Sequence, residues 1–192
     1  MANFGSNSAS TAEESFAGDT GPIFSCGILP TGGVLTGFFA FIGGNSTFGS
    51  AQRWAVYQGG VSDTDATGAV RIWRSGNLNT GNVNARSWKG AATDFGETMS
   101  GVLTASRTFL VIKSNSGSVG LSNADRGDLS NLAKIAAFSN DAAIDFPATM
   151  PSAGSGSSEA IKAYITYTAA AAAPPPLWKK PVHFVNDELI LM

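Results

Sequence analysis

One cysteine and one histidine stand among the 192 residues, and their scarcity removes several chemistries at once. A single thiol, Cys26, cannot form an internal disulfide framework, and His183 cannot build an ordinary zinc site unless carboxylates supply the other ligands. Cys26 lies in the apolar stretch Ile23-Phe24-Ser25-Cys26, where a small buried side chain is the simpler role. No neighbouring histidine could activate it as a nucleophile. Charge is equally sparse: Asp, Glu, Lys and Arg make up 14% of the chain and leave a formal net charge of -2. Without a basic patch, nucleic acid has no electrostatic handhold. The N-terminus lacks the basic residue and apolar run of a secretory signal. The longest apolar run, residues 34–42, is broken by Gly37 and is too short to span a bilayer. A soluble, cytoplasmically made protein with no membrane partner is the expectation.

Carboxylates offer little more. Asp63 and Asp65 could be cast as a glycosidase pair, but they sit in a Gly, Asp, Ser and Thr run that turn chemistry explains. Asp125 and Asp128, in the tetrapeptide DRGD, with Asp141 and Asp145 further on, could supply oxygen ligands to calcium. Their spacing does not match an EF-hand loop and has an arginine in the middle, so turn chemistry is again favoured. The chain is read as no enzyme, with no catalytic, metal or cofactor-binding residue and no cofactor.

What is present is glycine, 23 residues of it, together with Ser, Thr and Asn between short apolar runs. That composition favours many short strands joined by turns. Residues 53–57 alternate, with Trp54 and Val56 on one face and Arg53, Ala55 and Tyr57 on the other, and residues 69–74 return to strand composition after a polar loop. The two form a long-looped hairpin. Its second strand is expected to send Val70 and Ile72 to the core and to hold Arg71 and Trp73 outside as a surface contact, since Trp and Arg are enriched at interface hot spots. Strands are also expected at residues 23–29 and 34–42, around Trp88, at 119–121 and at 160–168, with the run RTFLVIK, residues 107–113, at a sheet centre. The second of these has Phe38, Phe39 and Phe41 filling both faces. Residues 129–138 carry apolar side chains at helical spacing and are the best helix candidate.

The ends differ from the middle. Residues 1–21 are too polar to order themselves and read as an N-terminal arm. A sandwich domain is expected over residues 22–168, an Ala/Pro spacer over 169–176, and a C-terminal tail over 177–192. The burial available from the tail's apolar side chains is comparable with the backbone entropy of ordering it, so a free tail would be marginal. Laid on a neighbouring subunit it could be held. Trp178, Phe184, Leu189, Ile190, Leu191 and Met192 are the anchors its size and apolar character suggest.

The succession RWAVYQGG, an Asp/Thr/Gly loop, GAVRIWRSGNL, Leu103-Thr104-Ala105, RTFLVIK and SNSGSVGLSNAD resembles the jelly-roll modules of tailed-bacteriophage virion proteins, over residues 22–168. Small head decoration (cement) proteins are the best fit among them. The resemblance implies a mainly β, jelly-roll-like antiparallel β-sandwich with extended N- and C-terminal arms, assembled as a homotrimer on the outer capsid surface of the virion and bound to the major capsid protein. The same features leave room for a tail or baseplate adaptor. They also fit a carbohydrate-binding module that stacks a glycan on Trp54, Trp73 or Trp88.

Overall fold

The structure is a computed structural model. It describes residues 1–5, 14–16, 21–42, 46–47, 52–78, 82–83, 87–114, 119–121, 134–138, 146–151, 162–171, 183–185 and 188–190. In chain order its strands begin with β1 (Ala2–Gly5), β2 (Glu14–Phe16), β3 (Gly21–Ile28), β4 (Gly33–Ile42), β5 (Ser46–Thr47), β6 (Gln52–Gln58), β7 (Val70–Arg74), β8 (Asn82–Val83) and β9 (Ser87–Gly90). One short helix, α1 (Ala91–Phe95), follows. The series continues with β10 (Val102–Leu103), β11 (Arg107–Ser114), β12 (Val119–Leu121), β13 (Lys134–Phe138), β14 (Ala163–Ala169), β15 (His183–Val185) and β16 (Glu188–Ile190).

Two antiparallel sheets form a sandwich-like arrangement. The first runs β1-β14-β4-β12-β2, with β9 and β10 also paired to β4, and the second runs β13-β3-β11-β6-β7. The contiguous apolar run within residues 107–113 forms β11 in the middle of the second sheet, as its β-branched and aromatic content predicts. The turn at residues 30–32 joins strands of different sheets: β3 belongs to the second and β4 to the first. Between the sheets lie Leu35, Phe38, Ala40, Ile42, Ala163, Ile165 and Tyr167 from one side. Phe24, Cys26, Trp54, Val56, Trp73, Leu110 and Ile112 face them from the other.

The second sheet is also covered on its outer face. Ile23, Ala55, Tyr57, Phe109 and Val111 pack there with Ala66 and Ala69 of the β6–β7 loop and with Phe146 and Met150. Backbone bonds hold this cover in place: Gly68 N–H donates to Met150 O at 2.9 Å, Met150 N–H to Ala69 O at 2.7 Å and Arg71 N–H to Ala148 O at 2.8 Å. The Tyr57 hydroxyl donates to Pro147 O at 2.7 Å. Gln58, buried at the end of β6, ties in the 101–106 stretch. Its amide nitrogen donates to Thr104 O at 3.0 Å and Thr108 Oγ1 at 2.9 Å, and its oxygen accepts the Thr104 N–H at 2.8 Å. Every hydrogen-bonding direction of that amide is used, which is what allows it to be buried.

Three expectations are corrected. Trp73 is 5% exposed and in the central core, while Val70, expected inside, is 54% exposed. A β-bulge accounts for Trp73: Val56 pairs with Trp73 and the next residue, Tyr57, pairs with Arg71, so Ile72 is the extra residue, while Val70, opposite Gln58 at the first position of β7, is exposed at the strand end. A bulge breaks the two-residue period. Arg71 therefore follows Tyr57 to the outer face, and Trp73 follows Val56 inward. The helix expected at 129–138 is replaced, over its described part, by β13, which pairs with β3. A segment of about ten residues is too short to sustain an isolated helix, and the β3 edge offers backbone groups that a strand satisfies. Residues 129–133 lie outside the described residues. The N-terminal arm, too, is partly built into the sandwich: β1 pairs with β14, and β2 pairs with β12.

Burial of Trp73 makes a direct prediction. Trp73→Ala should cost about 3–5 kcal/mol of unfolding free energy, the range for an aromatic side chain removed from a core. Urea denaturation measures it, and a loss under about 1 kcal/mol, typical of surface sites, would contradict the placement.

Candidate interaction surface

No group of three or more His, Cys, Asp or Glu side chains capable of holding a metal occurs among the described residues. The carboxylates of the β6–β7 loop serve the loop itself. Ser62 and Asp65 exchange backbone hydrogen bonds, and Asp65 Oδ1 accepts the Thr67 N–H at 2.9 Å. Hydrogen bonds from Thr67 hold the Asp65 carboxyl below its usual range. Asp63 meets Arg107 at 3.1 Å in an exposed pair worth little to stability. The DRGD tetrapeptide, Asp141 and Asp145 lie outside the described residues. Cys26 is buried, and burial pushes its thiol well above the ordinary range.

The more informative region is the outer face of the first sheet. β4 is a ten-residue strand with apolar side chains on both sides. Its inward positions fill the core; Val34, Phe39 and Phe41 alternate to the other face, which is shared with β9, β10 and β14. The register places Tyr164 opposite Phe39, Trp88 opposite Phe41, and Val102 and Thr168 on either side of Val34. Phe39 and Tyr164 stack at 4.8 Å between centroids with 11° between planes. Trp88 meets Tyr164 edge-on at 5.1 Å and Phe41 at 5.4 Å. Such offset and edge-on contacts suit the ring quadrupoles and fix the rings relative to one another.

Two glycines make this packing possible. A Cβ at Gly90 would stand 2.5 Å from a Phe39 ring carbon, and one at Gly37 would stand 2.6 Å from another. Further along, the Thr36 and Thr166 hydroxyls bond each other at 2.9 Å. At the end of the strand Val34 and Val102 are 51% and 72% exposed. Partial burial raises the pKa of the Tyr164 hydroxyl. The nearest described ion pair, Lys89 with Asp94 at 3.5 Å, sits at the rim beside α1.

The tail anchors are only partly brought together. β15 and β16 pair with each other as a separate two-stranded sheet, which sets Phe184 opposite Leu189 and His183 opposite Ile190. Trp178, Leu191 and Met192 lie outside the described residues. The proposed Arg71–Trp73 surface pair is split by the bulge. Arg71 donates to the Phe146 carbonyl, and the Trp73 indole N–H donates to Thr98 O at 3.1 Å. Of the three tryptophans considered as a sugar platform, Trp54 and Trp73 are core residues and Trp88 remains on an outer face. Sequence reading did not reach the Phe39–Tyr164–Trp88 cluster as a surface. Its signal lies in the phenylalanines of β4, whose two-sided apolar pattern predicts cover on both faces.

These features define a two-sheet antiparallel β-sandwich with one self-covered outer face and one aromatic, partly exposed outer face. Compared with protein-family models, with curated proteins and with solved structures, the chain gives no match.

The buried thiol gives a test of the whole arrangement. Because the native state keeps a proton that the unfolded chain releases, this group's stabilising contribution is complete below the ordinary thiol pKa and declines as pH rises past it. Native protein at pH 8 should not react with a thiol reagent such as DTNB, and urea should release one equivalent. Prompt labelling of the native protein would place Cys26 elsewhere.

Proposed function

We propose that the chain is a structural virion protein: a jelly-roll-like decoration (cement) protein that binds the outside of a phage head and strengthens contacts between major capsid protein subunits. The observation carrying this reading is the C-terminal ribbon. β15 and β16 pair only with each other among the described strands, and a lone two-stranded hairpin is marginal in water. Its sequence is rich in large apolar residues and is separated from β14 by an Ala/Pro spacer. A ribbon of this kind gains stability by docking on another subunit. The sandwich supplies a rigid body, and attachment at more than one point raises the free energy needed to separate capsomers through mass action and effective concentration.

The same ribbon would serve a tail or baseplate adaptor, which differs in the symmetry of its partner. The carbohydrate-binding alternative retains Trp88 beside Tyr164. Sugar binding on a glycan array that disappears in Trp88→Ala would favour it over decoration.

The decoration reading predicts that the full chain co-sediments with purified capsids lacking it and raises the temperature at which they release DNA. The double variant Phe184→Asp/Leu189→Asp, which puts two like charges on one cross-strand pair, should bind at least tenfold more weakly. Capsids that bind neither protein would exclude this function.

A further inference from the structure

We propose that the edge of β14 is a strand-exchange slot, filled by β1 of the same chain or, in exchange, by β1 of a second copy. The inference goes beyond the decoration reading and does not depend on it.

The segment seated in the slot defines what fits there. Ala2, Asn3, Phe4 and Gly5 lie opposite Tyr167, Thr166, Ile165 and Tyr164. Ala2 and Phe4 pack against the central core, while Asn3 is exposed. Gly5 makes the seat selective. Its φ is 122°, and a Cβ there would stand 2.5 Å from Ala163 O and 2.8 Å from Tyr164 Cα. A strand filling this slot needs an apolar side chain for the core and a glycine immediately after it. Phe4 and Gly5 meet that need, and every copy of the chain brings the same pair.

β1 is lightly held. Among the described strands it pairs with β14 alone, so its departure disturbs no other ladder. The entropy cost of ordering it is set against partial burial of two side chains, which makes its release a low-cost local opening. Release uncovers the β14 edge and the core residues beneath Phe4, and a bare edge recruits another strand.

The registers show that β1 has reach. β9 takes one side of β4 at residues 39–42, so β14, paired with Phe39, and β12, paired with Ile42, share the other side. β1 and β2, paired to β14 and β12, thus lie in line along one edge. Gly5 is level with Phe39 through Tyr164, and Glu14 with Ile42 through Leu121. Those levels are about 10 Å apart along β4, whereas the chain from Gly5 to Glu14 can span up to about 30 Å. β2 can stay in its own ladder while β1 enters a neighbour's slot, the low-cost route to a dimer. A tether of this length keeps β1 at roughly millimolar effective concentration beside its own slot. Exchange is therefore slight in dilute solution and grows as the protein approaches that concentration.

Two full-length variants, isotope-labelled Asn3→Cys and unlabelled Thr166→Cys, are incubated together at about 1 mM and oxidised with glutathione disulfide. Positions 3 and 166 face each other across the β1–β14 pair, and in this mixture a disulfide between them joins two chains. Cys26 is buried and does not compete. Mass spectrometry should find the link, with a yield that falls on dilution and drops at least tenfold when the labelled chain also carries Gly5→Val, which spoils the fit and leaves the other chain's slot untouched. The unmodified chain gives a second reading: after the same incubation, size exclusion should show a dimer fraction at least tenfold above that of Gly5→Val. A link that forms equally with Gly5→Val, or the absence of both link and wild-type dimer, would overturn the proposal. No capsid enters either measurement, so the decoration reading stands or falls by its own test.

Discussion

The contact on which the rest of the sandwich depends is the meeting of Phe38 from the first sheet with Trp54 and Trp73 from the second, at 5.0 Å and 6.4 Å between ring centroids. Sheets pack about 10 Å apart, and these rings fill the gap where β4 crosses β6 and β7. Phe95 at the end of α1 meets Trp54 edge-on at 5.5 Å, so the helix acts as a lid on the cluster. The helix stops there because Gly96 takes a left-handed conformation, φ 70°, and returns its N–H to Ala92 O. Among the described residues the cluster carries one polar penalty: the Trp54 indole N–H is buried without a hydrogen-bond partner among them, a loss of about 1–3 kcal/mol set against the area the indole buries.

Much of this was legible in residues and some was not, for reasons that are local. Alternation identified β6 and β14 because each keeps an unbroken period where it packs on the core, and the β-branched and aromatic run of residues 109–112 identified β11. It failed at β7 because Ile72 is a bulge residue, and a bulge leaves no mark in a five-residue strand that has apolar side chains at both parities. β1 and β2 were invisible because Ala-Asn-Phe-Gly and Glu-Ser-Phe have ordinary polar-loop composition. Ladder hydrogen bonds to β14 and β12 order them, and composition does not record those bonds. β13 failed differently, since its alanines suit a helix intrinsically and the free edge of β3 overrides the preference. At the candidate site the apolar content of the tail could be read directly, whereas the self-pairing of β15 with β16 could not.

The polar interior follows the same economy. Gln58, Thr104 and Thr108 form a closed set of hydrogen bonds at the point where β6 ends and β11 begins. Arg71 and Tyr57 spend their polar ends on the 146–150 segment. Side chains that might have served an external ligand are thus consumed in fastening loops to the second sheet. Among the described residues, the outer face of the first sheet presents hydroxyls, aromatic rings and the exposed Val34 and Val102. That division of labour is why the functional reading rests on surfaces and ribbons and assigns no reacting atoms.

Pairing of β1 with β14, Ala2 opposite Tyr167 and Gly5 opposite Tyr164, has a consequence for folding. One strand of the pair comes from the start of the sandwich and the other from its end, so β1 has no partner on this edge until β14 takes its place. Loop closure over that separation is slow. Until β14 arrives β1 is free to be captured by another molecule, and once it arrives the edge closes behind it. Closure of the sheet thus waits on a pair of strands far apart in the chain.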